Sequence, residues 1–229
     1  MSGIHPYLGY ILTGSGLFLF ALIIWAFAAG EKEWRENLGR VAGEFGFEPF
    51  PDGRAVLPGR LRGFRLFRRT FFKQLKNSFR GKHRHFDVSV FDLSFGVLSL
   101  FSHKFPFRPS RAFVICFRIS SPKLPVVSVH PKGVSRQFAF WHSNDRMSFP
   151  EYPVFDKGFA VRGLDEQAIR KVFSHDLVSI FERERNLSME AMGDTLLMYR
   201  FEEWGRTHQE IRALVQSAFD AALVIDAAC

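Results

Sequence analysis

The chain is 229 residues long and carries 31 Lys and Arg against 23 Asp and Glu, a formal charge of +8. That length allows one ordinary domain with an appendage, and 47% apolar with 24% charged residues excludes a chain disordered throughout. Two cysteines exclude a disulfide framework and a cysteine-based zinc site, and the unusual figure is 28 Phe beside 4 Tyr and 4 Trp.

After a short tail, residues 1–7, residues 8–30 read LGYILTGSGLFLFALIIWAFAAG, with Tyr10 as the sole ionisable side chain. At about 1.5 Å per residue this run crosses a hydrocarbon layer of roughly 30 Å with some tilt. Tyr7 and Tyr10 fit one interface and Trp25 the other. The pattern predicts a transmembrane helix. A cleaved signal peptide is the rival, because Ala26-Phe27-Ala28 fits a small-x-small site. Against it, no Lys or Arg precedes Lys32.

The charge is unevenly spread. Residues 31–53 sum to −3, residues 54–84 carry 11 cations and no acid, residues 85–150 sum to +5 and residues 151–229 to −5. Basic residues after the span and none before it predict a single pass with the amino end outside and the carboxyl-terminal domain in the cytosol. Two unpaired cysteines, Cys116 and Cys229, agree with a reducing compartment.

Residues 31–53 are expected to form a juxtamembrane helix and linker. Trp34, Leu38, Val41 and Phe45 keep helical rhythm, Gly46 is placed to stop it, and Pro49, Pro51 and Gly53 turn the chain. The domain proper, 54–229, opens with the basic stretch 54–84. There Arg65, Arg68, Arg69, Lys73 and Lys76 interleave with Phe64, Phe67, Phe71 and Leu75. As a helix, the aromatics share one face, the signature of a segment lying on an anionic membrane surface. As strands, the same residues form a basic hairpin turning near Gly81-Lys82. Nucleic acid is disfavoured, since no helix-turn-helix, zinc or aromatic RNA-binding signature accompanies the charge.

Beyond it, residues 86–95 alternate as a strand, with Phe86, Val88 and Val90 on one side and Asp87, Ser89 and Phe91 on the other. Residues 111–120, 124–130 and 135–142 predict three further strands, and Gly193-Asp194 joins 187–192 to 195–201 as a hairpin. Asp165 and Ser174 are placed as N-caps of two helices, and Ile211, Leu214, Val215, Ala218, Phe219 and Ala222 stripe a last one. The expected fold is α+β: a transmembrane helix, then an antiparallel sheet packed with helices.

Candidate chemistry is sparse. His83 and His85 would share a strand face, but lie among cations without a third ligand. His142 with Asp145, and His175, are the set a membrane-anchored enzyme would have to bring together. Cys116, inside an apolar strand, reads as a core thiol. No nucleophile-elbow, HExxH, phosphate-loop or dinucleotide motif occurs in its required context. No catalytic residue, metal or cofactor is therefore expected.

The segments GRVAGEFGFEPFPDG (39–53), KNSFRGKHRHFDVSVFDLSF (76–95), LPVVSVHPKG (124–133), FPEYPVFDKGFAVRGLDEQAIRKVF (149–173) and MGDTLLMYR (192–200) occur in that order. Together they resemble a family of small bacterial membrane proteins of uncharacterised function, which join hydrophobic segments to an α+β domain. The chain departs at 96–110, apolar and aromatic where that family carries a Gly/Ser/Lys/Thr-rich connection. The resemblance implies membrane anchoring, bacterial origin and this fold, and it brings no catalytic residues; the expected location is the bacterial inner membrane. The expected role is a non-enzymatic interaction protein. Arg65, Arg68, Arg69, Lys73 and Lys76 would face lipid head groups or a protein partner, and Phe64, Phe67 and Phe71 would insert or pack.

Overall fold

The computed structural model describes residues 22, 25, 28–50, 60–68, 71–98, 107–119, 124–133, 146–201 and 207–229. The expected span at 8–30 lies almost wholly outside them; only 22, 25 and 28–30 are described, all helical. Among the described residues no helix is long and apolar enough to cross a membrane.

The strands are β1 (Glu48–Pro49), β2 (Phe71–His83), β3 (Phe86–Leu98), β4 (Phe107–Arg118), β5 (Leu124–Pro131), β6 (Arg146–Met147), β7 (Phe159–Gly163), β8 (Ser188–Gly193) and β9 (Thr195–Phe201). They form one sheet in the order β1-β2-β3-β4-β9-β8-β5-β7-β6. Every pairing is antiparallel. The helices are α1 (28–44), α2 (Arg65–Arg68, after a 3-10 turn at Arg60–Gly63), α3 (Pro153–Gly158), α4 (Glu166–Val172), α5 (His175–Arg183) and α6 (His208–Ala228). This is the expected α+β architecture.

Period-two alternation gives the sheet two different faces. Phe86, Val88 and Val90 of β3 and Phe113, Ile115 and Phe117 of β4 point to the larger core. That core is closed by α1, α3, α4, α5 and α6 through Leu38, Phe155, Ile169, Leu177 and Phe219. On the opposite face Phe91, Leu93, Val114 and Leu197 meet Leu61, Phe64, Leu66 and Phe67 from the basic stretch. Both cores are drawn from residue 34 onward.

The helix ends follow local chemistry. Asp165 accepts a hydrogen bond from the Ala168 amide at 3.0 Å and Ser174 one from the Leu177 amide at 3.4 Å. α6 starts with a reciprocal Thr207–Glu210 capping box. Gly46, at φ +71°, stops α1, and Gly193, at φ +64°, turns the β8–β9 hairpin, conformations that a Cβ would penalise.

A buried polar knot ties α1 to the sheet. Asp92 Oδ2 accepts from Trp34 Nε1 at 2.7 Å, Asn77 Nδ2 at 2.7 Å and an Arg111 guanidinium nitrogen at 2.5 Å. The Arg111 guanidinium also lies 5.3 Å from the centre of the Trp34 ring. Asn77, at φ +50°, sits where β2 slips register between Lys76 and Phe79, so a bulge aims its amide at Asp92. Burial pushes the Asp92 carboxyl above its ordinary range, against the lowering pull of Arg111 and the three donors.

Several expectations are corrected. The basic stretch is neither one helix nor a hairpin throughout: the short turn and α2 pack against the sheet, then β2 begins, and the reversal falls at Arg84-His85. Residues 48–49, expected as linker, pair with β2 at Arg80 and Phe79. The expected strand at 135–142 lies outside the described residues. Cys116 is only half-buried, at the edge of the second core. Strand β7 and helix α3 were not legible, because FAVRG and PVFDKG are too short to establish a period.

Candidate functional site

The second face of the sheet changes character along its width. Over β3, β4 and β9 it is apolar and capped by residues 61–67. Over β8, β5 and β7 it turns polar. Ser128 of β5 stands opposite Glu190 of β8 on one side and Arg162 of β7 on the other. With strands about 4.8 Å apart, these three side chains form a row about 10 Å wide. All three are buried, with 3% (Ser128), 3% (Glu190) and 6% (Arg162) of their surface exposed. Burying such groups is costly unless their polar atoms are engaged.

Glu190 is engaged by the basic stretch itself. Its Oε2 accepts from the Arg65 amide at 2.5 Å, and its Oε1 from the Leu66 amide at 3.0 Å and the Tyr199 hydroxyl at 2.7 Å. The carboxylate thereby fixes α2 over the sheet. The Tyr199 oxygen also lies 3.3 Å from His130 Nδ1. Burial, chiefly, raises the Glu190 carboxyl, with the Tyr199 and amide hydrogen bonds opposing it, and raises the Tyr199 phenol, reinforced by the Glu190 charge. His130 is pushed down to about 3 by burial first and then by the nearby Arg65 and Arg162 charges, so it is neutral at physiological pH. A neutral imidazole, a phenol and a carboxyl thus form a connected buried chain.

Beside this chain is a pocket of about 180 Å³. Arg65, Arg68 and Arg162 supply cations to its wall, Ser128 and Glu190 supply polar groups, and Phe64, Val126, Leu164 and Met192 supply apolar surface. The Ser128 hydroxyl has no hydrogen-bond partner among the described residues. Gly163 is required here: a Cβ would come within 2.3 Å of Ile169 Cδ1 and 2.6 Å of the Val126 carbonyl oxygen. A second cavity, about 570 Å³, lies between β5, α3 and α5 and mixes Lys157 and Arg185 with Glu182. It brings no convergent set of one charge.

The sequence-predicted contact residues divide. Arg65 is half-buried and Arg68 exposed, and both line the 180 Å³ pocket. Phe64 and Phe67 are buried in the second core, so of inserting and packing they pack. Lys76 pairs with Glu31 at 3.4 Å, at the carboxyl side of the apolar segment. Arg69, and the side chains of Phe71 and Lys73, lie outside the described residues. His83 packs against Phe45 and Phe219, while His85 pairs with Asp226 at 2.7 Å, so the two do not converge as metal ligands. Among the described residues no group of three His, Cys, Asp or Glu could hold a metal ion. His142 and Asp145 lie outside the described residues; His175 opens α5, its ring 6.2 Å from that of Tyr152.

Ser128, His130, Arg162, Glu190 and Tyr199 were missed in sequence. The signal was present as alternation: VVSVH, FAVRG and SMEAMG each put polar residues on the face opposite the apolar ones. Ordinarily that face meets water; here the basic stretch covers part of it.

The α+β domain thus packs its long helices on one sheet face and opens a pocket lined by three arginines on the other. No protein-family model matches the chain, and no curated protein does. A solved structure is similar: mycobacterial trehalose monomycolate transport factor A, with a TM-score of 0.53 and 14% identity over 85% of this chain and 93% of that one. This likeness shows a shared fold.

Proposed function

We propose that this chain is a membrane-anchored, non-enzymatic interaction protein of the bacterial inner membrane, belonging to the family of small membrane proteins that its sequence resembles. Its basic segment faces anionic head groups or a protein partner, and its cytosolic domain serves an accessory role in transport. The observation that carries the reading is the Lys76–Glu31 ion pair, 3.4 Å long. It sets the basic strand β2 against the residue that follows the 8–30 apolar run, while the Asp92 knot fixes α1 to the sheet three residues further on. Cations held there lie within reach of a charged membrane surface. The transport role rests on the fold shared with a protein named as a transport factor.

Flotation of residues 31–229 with vesicles rich in phosphatidylglycerol tests the lipid contact. The domain is expected to co-float at low salt, to detach at high salt, and to lose binding when Arg69 and Lys73 are changed to Glu. Absent or salt-independent binding refutes lipid contact and leaves the protein partner. A topology reporter fused at residue 229 tests the cytosolic placement: signal from the far side of the membrane refutes it.

A further inference from the structure

The pocket between the basic stretch and strands β5, β7 and β8 has two kinds of wall. Among the described residues, Arg65, Arg68 and Arg162 line it beside one buried carboxyl, Glu190, whose oxygens already accept two amides and a phenol. The described lining is thus mainly basic, and the exposed Arg68 points to an anion as the complementary ligand. Ser128, 3% exposed and lining the same space, has a hydroxyl with no hydrogen-bond partner among the described residues. A buried hydroxyl left unmatched is unfavourable unless something fills the site.

The mouth is of opposite character. Val126 and Leu164 line the pocket and are 57% and 86% exposed, two of the few large apolar side chains given to solvent among the described residues. Phe64 and Met192 extend the apolar surface inward. At about 180 Å³ the pocket is smaller than the roughly 300–1,000 Å³ that encloses a whole drug-sized ligand. It suits a head group, with the rest of the molecule lying across Val126 and Leu164.

We infer that this pocket binds the anionic head of a single-chain amphiphile, a phosphate or carboxylate bearing an alkyl tail. Arg68 and Arg162 contact the anion, Ser128 donates its hydroxyl to it, and Leu164 and Val126 cover the first carbons of the tail. The site shares Arg65 and Arg68 with the basic segment of the membrane-surface reading but uses neither Lys73 nor Lys76, so the Arg69 and Lys73 changes that test that reading leave the pocket lining intact.

The test is photo-crosslinking of the full-length chain in phosphatidylcholine nanodiscs with a diazirine-bearing decyl phosphate, read by peptide mapping. Labelling is expected in the peptides that carry Val126, Leu164 or Met192, and unlabelled decyl phosphate should compete it away. Arg68→Ala, a change at an exposed position, should weaken labelling about tenfold, and Ser128→Ala about threefold, the loss of one charge-assisted and one ordinary contact. Leu164→Ser should weaken it about fivefold through lost apolar contact. Labelling spread over the chain and unchanged by these variants overturns the site. Competition by inorganic phosphate equal to that by decyl phosphate overturns the amphiphile and reduces the pocket to a simple anion site. Competition by decyl phosphocholine equal to that by decyl phosphate overturns the requirement for net negative charge.

Discussion

Asp92 and Glu190 are both buried carboxyl groups on the same sheet, and they serve opposite ends. Asp92, on β3, gathers Trp34, Asn77 and Arg111 onto one oxygen and is fully enclosed on the side of α1. Every donor it holds comes from a different element, so its product is rigidity between helix and sheet. Glu190, on β8, takes two backbone amides and a phenol and thereby pins α2. Its neighbours in the row, Ser128 and Arg162, are turned toward a pocket. Glu190 has both oxygens bonded, whereas Asp92 concentrates its donors on one, and what sets the Glu190 side apart is the pocket beside it, with the unpartnered Ser128 hydroxyl in its lining.

Substitutions can break this comparison. Asp92→Ala leaves the part-buried Arg111 and Asn77 and the buried Trp34 indole without this acceptor. It should cost about 3–5 kcal/mol of stability, measured by denaturant unfolding of the domain. Ligand labelling at Val126 and Leu164 should persist wherever that variant remains folded, because the knot lies on the other face.

The next effect is a pH dependence on the Glu190 side. His130 in the folded protein titrates near 3, below its ordinary value of 6.5, so the native state binds fewer protons than the unfolded chain between those limits. Its contribution is fully present above 6.5 and is lost as the pH falls toward 3, amounting to about 2 kcal/mol by pH 5. His130→Asn, which cannot titrate, should flatten the stability–pH curve across that window, whatever its offset at neutral pH. An unchanged slope would contradict the buried neutral imidazole.

Smaller effects sharpen the contrast. Tyr199→Phe deletes one donor to Glu190 and should cost about 1–3 kcal/mol by thermal or denaturant unfolding. Ser128→Ala removes a buried hydroxyl that bonds nothing among the described residues, and should raise the stability of the ligand-free protein, by up to about 1–3 kcal/mol, while weakening ligand labelling. A stability loss as large as that of Tyr199→Phe would make Ser128 a structural group.

Much of this was legible in the chain and some was not, for physical reasons. Trp34, Leu38 and Val41 announced α1 because their i, i+4, i+7 spacing over two turns is helical and does not fit strand alternation, and the Asp165 and Ser174 caps follow from side-chain chemistry alone. Phe64 and Phe67 stayed open between inserting and packing because an aromatic among cations has the same local pattern on a membrane as against a sheet face; both are buried in the second core. Glu190 and Arg162 were invisible as a pair because 28 residues separate them in sequence, and only the placement of β5 between β8 and β7 brings them into one row.

Hydrogen–deuterium exchange of the full-length chain in phosphatidylcholine nanodiscs, with and without decyl phosphate, puts the contrast between the two faces to the most direct test. The account predicts new protection in the amides around 63–68, 126–128, 162–164 and 190–192, and none around Trp34, Asn77, Asp92 and Arg111. Protection that appears along α1 and β2 instead, or equally on both faces, would contradict it.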